Sequence, residues 1–191
     1  MDGKNFFEEH FKQIDFGEIK LRDATFESCT FENCSFAGLN FIALVFEDCE
    51  FITCDFTGAF INETAFREVT FTSCKMIGLN VENVNTFRLK LVFHDTMLDF
   101  ASFHNLKLID LKMLNCSLKE CDFTSANIQE ASFTDSNLQN ARFEHTNLIN
   151  ADFRSSIDFT INPSKNKIKG ARFSREDLMG LLREFKIRVD N

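Results

Sequence analysis

Residues 24–58 read ATFESCTFENCSFAGLNFIALVFEDCEFITCDFTG, with Phe at 26, 31, 36, 41, 46, 51 and 56. A large ring every fifth residue matches neither the 3.6 of a helix nor the 2 of an ordinary strand. The count extends down to Leu21 and up through Ile61, Phe66, Phe71, Met76 and Val81. A second series runs Phe93, Leu98, Phe103, Leu108, Met113, Leu118, Phe123, Ile128, Phe133, Leu138, Phe143, Leu148 and Phe153. Every one of these positions is apolar. With apolar residues at 44% of the chain, a fixed register reaches that by chance at roughly 10⁻⁹.

A period of five suits a coil that turns a corner every five residues and sends one large side chain inward from each side. Two residues before each centre the chain repeatedly places Ala or Cys, and all seven cysteines (29, 34, 49, 54, 74, 116 and 121) lie there. Small alternating with large is what a narrow, filled core requires. Gly38, Gly58 and Gly78 are spaced by one full turn, which predicts four sides per coil and coils stacked at ~4.8 Å.

Units such as Ala126-Asn127-Ile128, Ala131-Ser132-Phe133, Ala141-Arg142-Phe143 and Ala151-Asp152-Phe153 resemble those of the pentapeptide-repeat family. The resemblance covers roughly residues 14–173. It implies an all-β chain, a right-handed quadrilateral β-helix with a solid interior. The expected organisation is an N-terminal edge segment over 1–20, the β-helix over 21–173, and a terminal module over 174–191.

Two departures interrupt the period. Val81 and Phe93 are 12 apart instead of 10, so two extra residues sit within 82–92, and Asn83-Val84-Asn85 is the expected bulge, either a simple kink or a partner contact using Phe87. The pattern lapses at Asp158 and Pro163 and returns at Ile168 and Phe173. That lapse predicts an irregular coil near 156–167, with 157–165 bulging outward. From Ser174 a helix is expected, with Asp177 as capping-box partner and Leu178, Leu181, Leu182 and Phe185 as its apolar stripe. Ile187 and Val189 then read as a short strand. At the other end Phe11 and Phe16 continue the register backwards, with the first residues as an edge-covering strand.

The chain is 191 residues long with 29 acids, 21 Lys and Arg, no Trp and no Tyr. Its longest apolar run, Phe41 to Phe46, is far too short to span a membrane. The first 20 residues are too polar for a signal peptide, so a cytoplasmic protein with reduced cysteines is expected. Cysteines five apart in inward slots do not have zinc-site spacing. His10, His94, His104 and His145 form no triad or ligand pattern, and no phosphate-cradling glycine motif occurs. Neither cofactor nor metal nor enzymatic activity is expected.

Charge is uneven. Residues 1–153 hold 24 acids and 12 bases, and Asp23, Glu27, Glu32, Glu47, Asp48, Glu50, Asp55 and Glu63 fall in a stretch without one Lys or Arg. Glu27 and Glu47, one turn apart, are expected to stack. Such a surface either serves solubility or presents negative charge to a partner, and it opposes direct nucleic-acid binding. The resemblance adds a partner: members of the topoisomerase-interacting group, the Qnr type included, are dimeric rods that occupy the DNA site of gyrase or topoisomerase IV. That implies a DNA mimic on those eight acids, homodimerised through Leu178, Leu181, Leu182, Phe185, Ile187 and Val189, with resistance to fluoroquinolones or other topoisomerase poisons as a further implication. The alternative is an interaction scaffold with another partner, contacting it through outward apolar residues such as Ile42, Val45, Phe60 and Phe100.

Overall fold

A computed structural model describes residues 1, 3–19 and 21–188. The chain winds into a four-sided β-solenoid of about eight coils. Its short strands are β1 (Asn5–Phe7), β2 (His10–Lys12), β3 (Thr25–Glu27), β4 (Thr30–Glu32), β5 (Val45–Glu47), β6 (Glu50–Ile52), β7 (Ala65–Arg67), β8 (Val69–Thr72), β9 (Leu91–His94), β10 (Lys112–Leu114), β11 (Asp152–Phe153) and β12 (Arg172–Phe173). All pairings between them are parallel. The first side stacks β1, β3, β5 and β7, and the second stacks β2, β4, β6, β8, β9 and β10. Elsewhere the sides are held by single parallel bridges such as Ser117↔Asn137 and Asp122↔Arg142.

The repeat centres form four columns of side chains. Phe6, Phe26, Phe46 and Phe66 stack on the first side, and Phe11, Phe31, Phe51, Phe71 and Phe93 on the second. Within a column ring centroids are about one ladder spacing apart, as for Phe16 over Phe36 at 4.7 Å. Between columns the rings meet edge to face, as for Phe26 and Phe31 at 5.3 Å and 71°. These are the arrangements an aromatic quadrupole favours. The cysteines occupy the small slots as buried thiols, several bonding carbonyl oxygens of the preceding coil, as Cys54 Sγ does with Phe31 O.

Register places the two extra residues. Ala65 still pairs with Asn85, twenty on, whereas Val69 pairs with Leu91 and Phe71 with Phe93, twenty-two on. The bulge therefore lies between Asn85 and Leu91 rather than at Asn83-Val84-Asn85. Val84 is buried in the small slot and cannot leave the wall. Thr86 stands where a ring belongs and faces solvent. Below it a dry space of about 10 Å³ remains among Phe66, Phe71, Val81, Leu91 and their neighbours. Among the described residues, no backbone hydrogen bond joins 86–90 to Lys107 in the coil above.

The C-terminal end departs further from expectation. Residues 157–165 do not bulge outward: Phe159 and Ile161 turn into the core and close it where Asp158 and Pro163 break the pattern. The terminal helix is not α-helical. It is two 3₁₀ turns, Leu178–Leu181 and Arg183–Phe185, with i→i−3 bonds at Gly180, Leu182 and Phe185. The carbonyl of Gly180 accepts from Ile161 N–H at 3.0 Å, which takes it out of any α-helical ladder. Gly180 itself lies on the Phe159 ring, where an added Cβ would come within 2.4 Å of Cε2. The expected Ser174–Asp177 pair does form, with Asp177 N–H donating to Ser174 Oγ at 3.2 Å. Ile187 is not in a strand, and Val189 lies outside the described residues.

Candidate functional site

Most corners of the solenoid fall two residues after a repeat centre, at a residue with a left-handed backbone: Glu8, Ser28, Asp48, Glu68, Asp110 and Glu130 all have φ between 52° and 61°. These six mark turns of one corner, between the first and second sides, where Arg88 at the bulge takes the place between Glu68 and Asp110. The alignment is fixed by backbone bonds: Glu8 N–H donates to Glu27 O, Ser28 N–H to Glu47 O, Asp48 N–H to Arg67 O and Asp110 N–H to Gln129 O. Glu27 and Glu47, paired in register as expected, flank the corner on one side. Glu50 flanks it on the other, paired with Thr30 and Thr70. The result is an acidic edge along most of the rod.

Only four of the eight sequence-predicted acids, Glu27, Glu47, Asp48 and Glu50, lie on this edge. Asp23 and Glu63 turn the corner between the fourth and first sides, Asp55 is on the third side, and Glu32 is on the second. Sequence reading missed Glu8, Glu68, Asp110 and Glu130. Their signal was the fixed place two after each centre, counted with a shift of two beyond the bulge.

Several predicted acids are neutralised by cations that the linear sequence places far away. Glu47 accepts from Arg67 Nη1 at 3.0 Å and from Arg88 Nη1 at 2.7 Å. The Arg67 hydrogen bond, reinforced by Arg88, holds the Glu47 carboxyl below the usual carboxylate range. Arg67 also lies 5.5 Å from the Phe87 ring centre, so this cluster pins the bulge to the wall. Glu32 is paired with Lys12 at 2.7 Å and His10 at 3.1 Å, and the Lys12 hydrogen bond lowers its carboxyl likewise. Lys75 lies 3.7 Å from Asp55. Glu68 pairs with Lys90 at 2.6 Å. Glu27, Asp48 and Glu50, like Asp23 and Glu63, have no cation within ion-pair distance among the described residues and carry free charge.

The terminal turns divide the predicted contact residues. Leu181 packs against the core and Leu182 is half-buried, while Leu178, Phe185 and Ile187 are exposed, with Met179 beside them. Of the outward apolar residues, Phe60 is 63% exposed, Phe100 57% and Phe87 65%; Ile42 is less so and Val45 is half-buried. Among the described residues no three His, Cys, Asp or Glu side chains converge on a point that could hold a metal ion. No helix is long and apolar enough to cross a membrane, again among those residues.

Comparison with known proteins agrees with the register. A family model described as a pentapeptide repeat region matches residues 24–103, and one described as eight copies of the pentapeptide repeat matches 116–154. No curated protein sequence matches. Among solved structures, a trypsin-treated point variant of QnrB1, described as a plasmid-mediated fluoroquinolone resistance protein, aligns with TM-score 0.59 and 15% identity over 99% of this chain and 92% of that one. A second trypsin-treated variant of QnrB1 aligns with TM-score 0.51 and 17% identity over 97% and 100%. HetL of Nostoc sp. strain PCC 7120, described as a pentapeptide repeat protein involved in heterocyst differentiation regulation, aligns at 0.47 and 12% over 90% and 87%. Matched by the repeat models over more than half of its length, and built of the coils that those repeats wind, this chain belongs to the pentapeptide-repeat family.

Proposed function

We propose that the chain is a binding rod whose acidic edge occupies the DNA site of a type II topoisomerase, gyrase or topoisomerase IV. The observation that carries this reading is the row of corner acids. Its carboxylates, Glu8, Asp48, Glu68, Asp110 and Glu130, recur one or two coils of ~4.8 Å apart, with Ser28 and Arg88 in the gaps, and are sparser than the ~3.4 Å per phosphate of one DNA strand. Glu27, Asp48 and Glu50 thicken the row with unpaired charge, and the Glu47 clamp and the Glu68–Lys90 pair dilute it. The likeness to QnrB1 supports the shape of the rod, and the fluoroquinolone resistance of that protein suggests where to look. Leu178, Phe185 and Ile187 supply an exposed apolar end through which a second copy would double the rod's length.

Titration into a gyrase supercoiling assay, with and without a fluoroquinolone, tests the reading. The wild-type chain should change supercoiling or drug sensitivity at micromolar concentration. Glu27→Lys, Asp48→Lys and Glu50→Lys together should raise the concentration required at least about tenfold, since complementary charge controls encounter. A wild-type chain with no effect on either enzyme at tens of micromolar would end the topoisomerase reading.

A further inference from the structure

On the fourth side each coil is tied to the next by two backbone bonds around one outward residue. Asp122 N–H donates to Ala101 O at 2.9 Å, and Asp122 O accepts from Phe103 N–H at 2.8 Å. One coil on, Arg142 N–H donates to Cys121 O at 2.8 Å, and Arg142 O accepts from Phe123 N–H at 3.0 Å. The next coil should bring Asn162 to Ala141 and Phe143 in the same way, and it does not. Ile161 N–H is spent on Gly180 O, Asn162 O accepts from Lys165 N–H and Asn166 Nδ2, and the Asn162 side chain holds Glu184 and Ser164. Among the described residues, the N–H groups of Asn140 and Phe143 therefore meet no acceptor, and the carbonyl of Ala141 meets no donor. Ala141 and Phe143 are themselves buried, where an unmet backbone group costs about as much as a lost hydrogen bond. Both line an open groove of about 490 Å³, with Arg142, Glu144, Thr160 and Glu184 around it. Lys165 reaches Glu144 at 3.0 Å and Glu184 at 3.3 Å and neutralises them. Arg142 is exposed and has no acid within ion-pair distance among the described residues.

We propose that this groove takes an extended peptide segment of a partner protein as one more strand on the fourth side, with an acidic residue opposite Arg142. The free acceptor and the free donor, Ala141 O and Phe143 N–H, flank a single position. In a parallel ladder one residue of the added strand meets both, giving its N–H to the first and its C=O to the second. Side chains alternate along a strand, so the residue opposite Arg142 points outward as Arg142 does. A carboxylate there lies beside the unpaired guanidinium, in a charge-assisted contact. The neighbours of that residue turn toward Ala141 and Phe143, where small side chains suit the contact. This is strand addition, in which main-chain bonds give affinity and side chains give selectivity. Two ladder bonds and one charge pair support weak binding, with a dissociation constant on the order of 0.1–1 mM.

The probe is the end-blocked peptide acetyl-Thr-Ala-Asp-Ala-Thr-amide, titrated into the isotope-labelled full chain and followed by amide resonances. The Asn140 and Phe143 amides should shift. Exchange of the Phe143 N–H with solvent should slow about tenfold at a peptide concentration ten times the dissociation constant. Methylating the Asp nitrogen of the probe removes the donor to Ala141 O and should abolish binding. Arg142→Glu should weaken binding at least about tenfold, and Lys in place of the probe's Asp should restore it. No shift at tens of millimolar, equal binding of the N-methylated probe, or no response to Arg142→Glu would overturn the proposal. So would the same shifts from acetate alone, which would mark a site for small anions only. These readouts report the groove itself, so the result stands whether or not the acidic edge meets a topoisomerase.

Discussion

At most corners one residue holds a left-handed backbone, and its side chain sets what that costs. Asn and Asp tolerate the conformation and Gly adopts it freely. Phe100, at φ 63° with its ring mostly in solvent, does neither, so Phe100→Gly should stabilise the fold by about 1 kcal/mol even as it loses a ring, measured as a raised thermal midpoint. Glu47 shows the opposite case, a side chain whose value lies in its partners. Its carboxyl is lowered in the folded state, chiefly by Arg67, so its contribution is present above the unfolded carboxyl value of ~4.3 and is lost as pH falls through the folded one. Wild type should therefore melt above Glu47→Gln at neutral pH, and the gap should close on acidification; a constant gap would mean that charge is not the cause. Burial pushes Cys49 up to about 12 and Cys116 to about 11, so at neutral pH both are thiols. A disulfide reagent should label them only at the rate of unfolding. The inward rings and slots were legible in the sequence because the period dictates them. The Glu47 clamp was not, because Arg67 and Arg88 lie 20 and 41 residues away and come together only once the coil is wound.

Two elements decide how the solenoid tolerates irregularity. The bulge between Asn85 and Leu91 was legible as two surplus residues, but spacing alone could not say which two. Ladder pairing of Asn85 and burial of Val84 settle it, and both depend on packing. Removing Phe87 and Arg88 while changing Thr86 to Phe should restore an unbroken first-side column and fill the space beneath it. The expected gain is about 1–3 kcal/mol from a newly buried ring, read by chemical denaturation. A loss instead would mean that the Arg67–Phe87 contact and the Arg88–Glu47 pair outweigh the ring. At the C-terminal end the apolar stripe was visible in the sequence, whereas the 3₁₀ geometry was not, since it follows from Ile161 capturing the Gly180 carbonyl. Gly180→Ala should cost about 1–3 kcal/mol through overpacking against Phe159, lowering the thermal midpoint.

The whole molecule is a rod with one charged edge and, near its C-terminal end, one open stretch of ladder. Neither was visible as a stretch of sequence, since residues that neighbour one another across coils recur only every 20 positions. The linear acidic run from Asp23 to Glu63 scattered over several sides once folded. If the acidic edge does the binding, the affinity of the rod for its partner should fall steeply with added salt, and a salt-insensitive complex would shift attention to outward apolar residues such as Phe60 and Phe100.

A stack of coils holds together only through contacts between neighbours, so its weakest joint governs how it comes apart. The missing bonds between the bulge and Lys107 leave one side of a joint without its ladder, directly over Thr86, where the first-side column lacks an inward side chain. Amide hydrogen exchange should accordingly divide the chain into two blocks that open with different free energies, the Phe-rich coils below residue 86 and the Leu- and Ala-richer coils above residue 90. The two surplus residues thus make a fault line, along which one half of the rod can fray while the other stays closed.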